Sequence, residues 1–341
     1  MLNLLFLLAA AAPLLAPQAP VAAPPAAGAA RPAIPGVSAW AEVARVVDGD
    51  TIHVQLDGKL EKLRLLCVDT EEKLGSGAAS PSKPQTVFGE ECALWAQEFF
   101  AARTPKDGAL RVGLRFPVGR EGHRDPYGRL LCHVVLPDGT DFNVLLVKLG
   151  KSPYFTKYGY SEVSHEAFVA AQAEARAQQL GIWNPATNAP QTPGAPSAAR
   201  PYDRLLPWWD LRARAVAAFE AAKRDPERAV FDAESAAALE QAVAASAHGP
   251  VRLFGEVARI FDETDGSRTV LFRAASNDAA LRVRIQKDAL AAHAPARLDE
   301  RAAEFHQNYV WYEGTVVRDA RGYRSTSRGP AAWRAGHEPG E

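Results

Sequence analysis

Apolar and polar positions alternate with a period of two through much of the stretch from Val43 to Leu136. Val43, Arg45 and Val47 share one face, then Ile52, Val54 and Leu56, then Leu110, Val112 and Leu114. Half-buried strands carry this pattern because successive side chains point to opposite faces. Helical spacing interrupts it at Cys92, Trp95, Ala96 and Phe99 and returns at Phe168, Ala171 and Ala175, where Gly181 supplies a C-terminal stop. The first half of the chain therefore reads as strands with two appended helices. Between them, Leu74 to Gln85 (LGSGAASPSKPQ) is rich in Gly, Ser and Pro and predicts an exposed, mobile loop.

A Pro/Ala/Thr/Asn-rich segment from about Asn184 to Pro201 has no periodicity and marks a linker. Beyond it, Leu211, Ala215, Ala218, Phe219 and Ala222 trace a helix that stops at Asp225-Pro226, and Asp232 is placed to cap a second helix containing Leu239 and Val243. Strand patterns return in VRLFGEVARI, TVLFRA, LRVRI, YVWYEGTVV and GYRSTS. Five short strands suit a barrel of the OB type. The predicted organisation is an N-terminal segment over 1–30, a β unit over 36–186, a linker over 187–201, and a helical segment with a second β unit over 202–335. The fold class is mainly β with appended helices: one five-stranded OB-type β-barrel and a second OB-like β-barrel preceded by two helices.

At 341 residues, 47% hydrophobic and 23% charged, the chain is long enough for two cores. The first thirty residues hold no charged side chain, and the apolar run Leu2 to Leu15 gives way to Ala/Pro-rich sequence, the layout of an export signal or an N-terminal tether. A secreted, periplasmic or otherwise extracytoplasmic protein is expected. It would meet no membrane unless the signal stays uncleaved. Cys67, Cys92 and Cys132 lack CxxC spacing and sit among apolar neighbours, which indicates buried thiols instead of a zinc site or disulfide framework. A formal net charge of -1 means that any grip on a polyanion must be local.

Three polar motifs stand out. DGDT at Asp48 to Thr51 places two carboxylates at the turn that opens a strand, and hard cations need such oxygens. RLLCVDTEE puts Arg64 five residues before Asp69 on an apolar strand that ends in Asp69, Glu71 and Glu72. DPYGR sets Arg129 two residues after Tyr127, before the apolar run LLCHVVL, and offers a second guanidinium to phosphate. Alone, each reads equally as a charged turn.

In order and approximate spacing these motifs, with the later LVKLG and SHEAF…LGIW stretches, resemble the staphylococcal nuclease (thermonuclease) family over about residues 40 to 184. The resemblance implies a calcium-dependent phosphodiesterase acting on DNA and/or RNA, single-stranded or locally unpaired, with in-line attack of water and 3′-phosphate products. By position it makes Asp50, Asp69 and the Thr70 carbonyl Ca2+ ligands, supported by Asp48. Glu72 takes the place of the general base, and Arg64 and Arg129 hold the phosphate. The family usually has Pro where Glu71 stands, so Glu71 is an alternative base or an added solvated carboxylate. Tyr127 is expected near the substrate, and Tyr154 or Tyr158 at a base pocket; packing is the competing reading for each.

HEAFV at His165 lacks the second histidine of a metalloprotease helix, and His53, His123 and His133 are scattered, so no histidine is assigned a role. In the second β unit Arg282 and Arg284 alternate with apolar residues, Arg318, Arg321, Arg324 and Arg328 follow, and Tyr309 and Trp311 share a face. Single-strand binding uses such a mixture, and so does an ordinary core with a charged exterior. No stable protein partner is implied. A degenerate nucleic-acid-binding scaffold and a calcium-binding interaction module are the rival functions.

Overall fold

The computed structural model describes residues 34–336 apart from 78–82, 118, 120–121, 126, 188, 190–198, 226–228, 277, 303–307 and 328. The N-terminal segment 1–30 and most of the linker lie outside the described residues. Among those described, no helix is long and apolar enough to cross a membrane.

The first unit is a closed barrel of β1 (Val37–Val46), β2 (Thr51–Leu56), β3 (Lys59–Leu65), β4 (Arg111–Arg115) and β5 (Leu130–Val135), in the order β1-β2-β3-β5-β4. Strands β3 and β5 run parallel and the other pairs antiparallel. Ile52, Val54, Leu63, Leu65, Val112, Leu114, Cys132 and Val134 point inward and fill it, as the alternating pattern requires. A register shift between Val43 and Arg45 bends β1 so that it can pair on both sides.

Three helices close the barrel, one more than the periodicity predicts. They are α1 (Val87–Ala101), α2 (Phe142–Lys148) and α3 (His165–Ala177). The extra one, α2, has only seven residues, too few to show a period, but Asp141 caps it by accepting from the backbone N–H of Asn143 and Val144. Phe142 packs edge-on against Phe100 of α1, with ring centroids 4.7 Å apart.

Helix α4 (Tyr202–Lys223) begins nine residues before the stripe first visible in the sequence and joins the two units. Its N-terminal half lays Leu205, Trp208 and Trp209 against Phe155 of the first unit. Its C-terminal half lays Ala215 and Phe219 on Phe254, Tyr309 and Trp311 of the second. Arg212, fully buried between them, donates to the Lys157 carbonyl (3.0 Å) and to Glu256 (2.6 Å).

The second unit comprises β6 (Val230–Asp232), α5 (Ala236–Ala245), β7 (Val251–Asp262), β8 (Arg268–Phe272), β9 (Leu281–Ile285), α6 (Leu290–His293), α7 (Leu298–Ala302), β10 (Tyr309–Gly314), β11 (Val317–Asp319), β12 (Gly322–Thr326) and β13 (Trp333–Ala335). Ser235, not Asp232, caps α5. The sheet order is β11-β12-β9-β8-β7-β10-β13, with β6 on β7. The run β8, β9 and parallel β12 from β7, with β10 on β7's other edge, repeats the first barrel's order except at one seam. There β10 pairs with β13 and β12 with β11, so the expected second barrel is an open, curled sheet. The hydroxyls of Tyr312 and Ser325 share a hydrogen bond of 2.6 Å across that seam.

Candidate active site

The acidic motifs converge because the barrel places the start of β2 beside the end of β3. Thr51 pairs with Arg64, and Leu65 N–H donates to the Asp50 carbonyl at 3.0 Å. Gly49 lets the preceding turn press onto Thr70, where any Cβ would strike the threonine side chain. In return Thr70 donates its backbone N–H to Asp50 Oδ2 at 2.9 Å. Asp50 and Asp69 are thereby fixed side by side, 4% and 6% exposed.

Two buried carboxylates need positive charge, and three side chains supply it. Arg64 touches Asp50 and lies 2.8 Å from Asp69 Oδ1; Lys83 Nζ also lies 2.8 Å from that oxygen; Arg200 lies 2.5 Å from Asp69 Oδ2. Burial alone would raise both carboxyls, but Arg200, Lys83 and Arg64 hold Asp69 far below the usual range, and Arg64 with Lys83 holds Asp50 below it. Asp48, half-buried, is pushed up to about 6 by burial and the charge on Asp50.

Glu71 and Glu72 have opposite surroundings. Glu71 is buried, not solvated: it accepts the Thr86 hydroxyl and, at 3.1 Å, the Tyr202 hydroxyl. Glu72 lies at the edge, with Oε1 3.0 Å from Lys83 Nζ, so one ammonium touches both Glu72 and Asp69. Arg129 is oriented by Asp125 (2.7 Å) and reaches Thr51 Oγ1 at 3.4 Å, next to Asp50. Tyr127 stands out at 83% exposure, with the Arg129 guanidinium 5.5 Å from its ring. Tyr154 is a correction: it is buried, stacked on Phe168 at 4.7 Å, and its hydroxyl bonds His165 and the Ser161 N–H, so it packs the core. Tyr158 is exposed.

For the calcium that the resemblance implies, the donor chemistry fits. Two ionised carboxylates and a backbone carbonyl are hard oxygens, the kind of donor that calcium takes. Among the described residues no group of three or more His, Cys, Asp or Glu side chains is arranged to hold a metal.

Sequence reading missed Lys83, Thr86, Arg200 and Tyr202. Lys83 falls in the Gly/Ser/Pro loop and Arg200 in the linker, where no periodicity or motif marks them; only the fold brings them to Asp69. Tyr309 and Trp311 are buried beneath α4, which removes them as stacking platforms. The nearby arginines are engaged locally: Arg284 with Asp265, Arg318 with Glu240, Arg324 with Asp319, and Arg282 with the Arg321 carbonyl (3.1 Å). Arg328 lies outside the described residues. All three cysteines are free thiols, and burial raises Cys67 and Cys92 to about 12.

A closed five-stranded OB-type barrel with an acid–arginine cluster where β2 begins and β3 ends defines the class of protein. The staphylococcal nuclease homologue family model matches residues 62–185. The chain is 34% identical over 143 residues to the thermonuclease of Staphylococcus intermedius, covering 41% of this chain and 74% of that one. It is 35% identical over 144 residues to endonuclease YhcR of Bacillus subtilis (strain 168), covering 42% of this chain but only 11% of that relative. An uncharacterized endonuclease of Escherichia coli is 30% identical over 148 residues, covering 43% and 79%. The chain belongs to the staphylococcal nuclease family.

Proposed function

We propose that this protein is an exported, calcium-dependent nuclease that hydrolyses phosphodiester bonds of DNA and/or RNA. The observation that carries the reading is Arg64 bridging the buried pair Asp50 and Asp69, with Glu72 and Arg129 at the rim of the same cluster. Bound at Asp50, Asp69 and the Thr70 carbonyl, with Asp48 behind, calcium would supply positive charge against the phosphate oxygens. Arg64 and Arg129 hold the phosphate and stabilise charge as it grows. Glu72 orients a water and accepts its proton as the oxygen attacks phosphorus in line. The bond to the 5′ oxygen breaks, leaving one fragment with a 3′-phosphate and the other with a 5′-hydroxyl.

The relatives' names, thermonuclease and endonuclease, support this reading for the first unit. The rival, a degenerate scaffold, draws on one observation: the protein's own cations already neutralise the carboxylate pair. Cleavage of single-stranded DNA, with calcium and then with excess chelator, separates the two. A chain starting near Arg31 should cut only with calcium, and Glu72→Ala should cut far more slowly while DNA binding persists. Binding without cleavage in the unmutated protein would instead establish the scaffold.

A further inference from the structure

The carboxylate site contains a side chain from beyond the span that the family model matches. Arg200 lies two residues before the start of α4, ahead of its N-cap Pro201, and is 7% exposed. One arm of its fork meets Asp69 Oδ2 at 2.5 Å and the other meets the Asp69 backbone carbonyl at 3.1 Å. The rings of Trp209 and Tyr202 lie 5.2 and 5.6 Å from the guanidinium. Tyr202, the first residue of α4, in turn donates to Glu71, so Arg200 and Tyr202 together grip both ends of the 69–71 turn.

Neutralisation alone does not account for this arrangement. Arg64 and Lys83 already face Asp69 Oδ1, and burying a third cation is unfavourable unless its geometry is well made. The rigid fork supplies that geometry: held at a side-chain oxygen and a main-chain oxygen of one residue, Asp69 can rotate neither its carboxylate nor the peptide leading into Thr70.

We propose that Arg200 is a positioning residue of the phosphodiesterase site, reserving Oδ2 of Asp69 so that Oδ1 alone is turned toward the catalytic cation and substrate. The segment after the barrel thus completes the site. The proposal rests on the nuclease reading above and adds, to the hold that Arg64 of the barrel has on Oδ1, a second restraint on the other oxygen of Asp69.

The test uses the full chain and its Arg200→Lys, Arg200→Ala and Tyr202→Phe variants. Three quantities are measured: kcat and KM on single-stranded DNA, calcium affinity by calorimetry without substrate, and melting temperature. Lys keeps the charge but loses the fork. Arg200→Lys should melt within a few degrees of the parent yet lose roughly 10–100-fold in kcat or calcium affinity, the range for residues that orient a metal ligand, with KM little changed. Tyr202→Phe should show a smaller loss of the same kind. If Arg200→Ala does not fold, Arg200→Lys decides. A variant that melts earlier but keeps the parent's kcat and calcium affinity at a temperature where it is folded would reduce Arg200 to a docking contact and overturn the proposal. If the parent cuts no nucleic acid, the nuclease reading falls separately, and calorimetry decides: equal calcium affinity in parent and Arg200→Lys, or none in either, overturns the positioning role.

Discussion

Thr86 donates its hydroxyl to Glu71 while the same oxygen accepts the Gly89 N–H at 2.9 Å, so one side chain both caps α1 and anchors the acidic turn. With Tyr202 on its other oxygen, Glu71 is an acceptor inside the structure, whereas Glu72 next to it faces the rim. Glu71→Ala should therefore strand two buried hydroxyls and cost about 1–3 kcal/mol of stability, read by denaturant unfolding, with turnover per folded molecule nearly intact. Glu72→Ala should leave stability within about 0.5 kcal/mol and lower kcat by roughly 10²–10⁴-fold, the usual contribution of a general base. A stable, inactive Glu71→Ala beside an active Glu72→Ala would reverse the assignment. The family's Pro at the position of Glu71 gives no hint of this burial, since the partner hydroxyls lie 15 and 131 residues away.

At the scale of elements, α1 can approach the acidic turn closely because Gly89 has no side chain: a Cβ there would overlap the Glu72 carbonyl oxygen. That carbonyl is also the acceptor for Thr86 N–H at 3.0 Å, so helix and turn are joined at the backbone of Glu72, the proposed general base. Gly89→Ala should push α1 away, lower the melting temperature and reduce kcat together; unchanged activity would show that the base tolerates a displaced turn. Strands and long helices of the first unit are legible in sequence because each carries its own period, and DGDT is legible because its turn chemistry is local. What the sequence leaves open is set by distant chain. Period two shows that Tyr309 and Trp311 share a face, but only α4 lying across it decides that the face is buried. Tyr154 is lost to the core for the same reason, through Phe168 and His165 on α3. Lys83 and Arg200 come from segments with no pattern at all, so their place at Asp69 follows from the assembled fold.

Across the whole molecule, the two units share a buried ionic seam centred on Glu256. Its carboxylate takes Arg212 from α4 and Arg273 from the end of β8, and its backbone N–H donates to Glu234 Oε1 at 2.8 Å. Burial and the neighbouring charges of Glu256 and Asp232 raise Glu234 to about 7, against Arg273, while Arg212 and Arg273 outweigh burial at Glu256 and lower it. These shifts act at opposite ends of the pH scale. A raised carboxyl binds more protons folded than unfolded, so its contribution is present below the ordinary value of about 4.5 and is lost as pH rises through about 7. A lowered carboxyl contributes above its ordinary value and loses that contribution as pH falls below it. The seam should accordingly be tightest in mildly acidic solution. Glu234→Gln keeps an acceptor for the Glu256 N–H but cannot ionise, so it should flatten the fall in stability between about pH 5 and 8 and be the more stable protein at pH 8 by up to about 2 kcal/mol. Denaturant midpoints across that range check this. Parallel curves for the two proteins would mean that the pH response of the seam arises elsewhere, whereas convergence at pH 5 and divergence at pH 8 would place it at Glu234, beside the arginine that joins α4 to the first unit's Lys157 carbonyl.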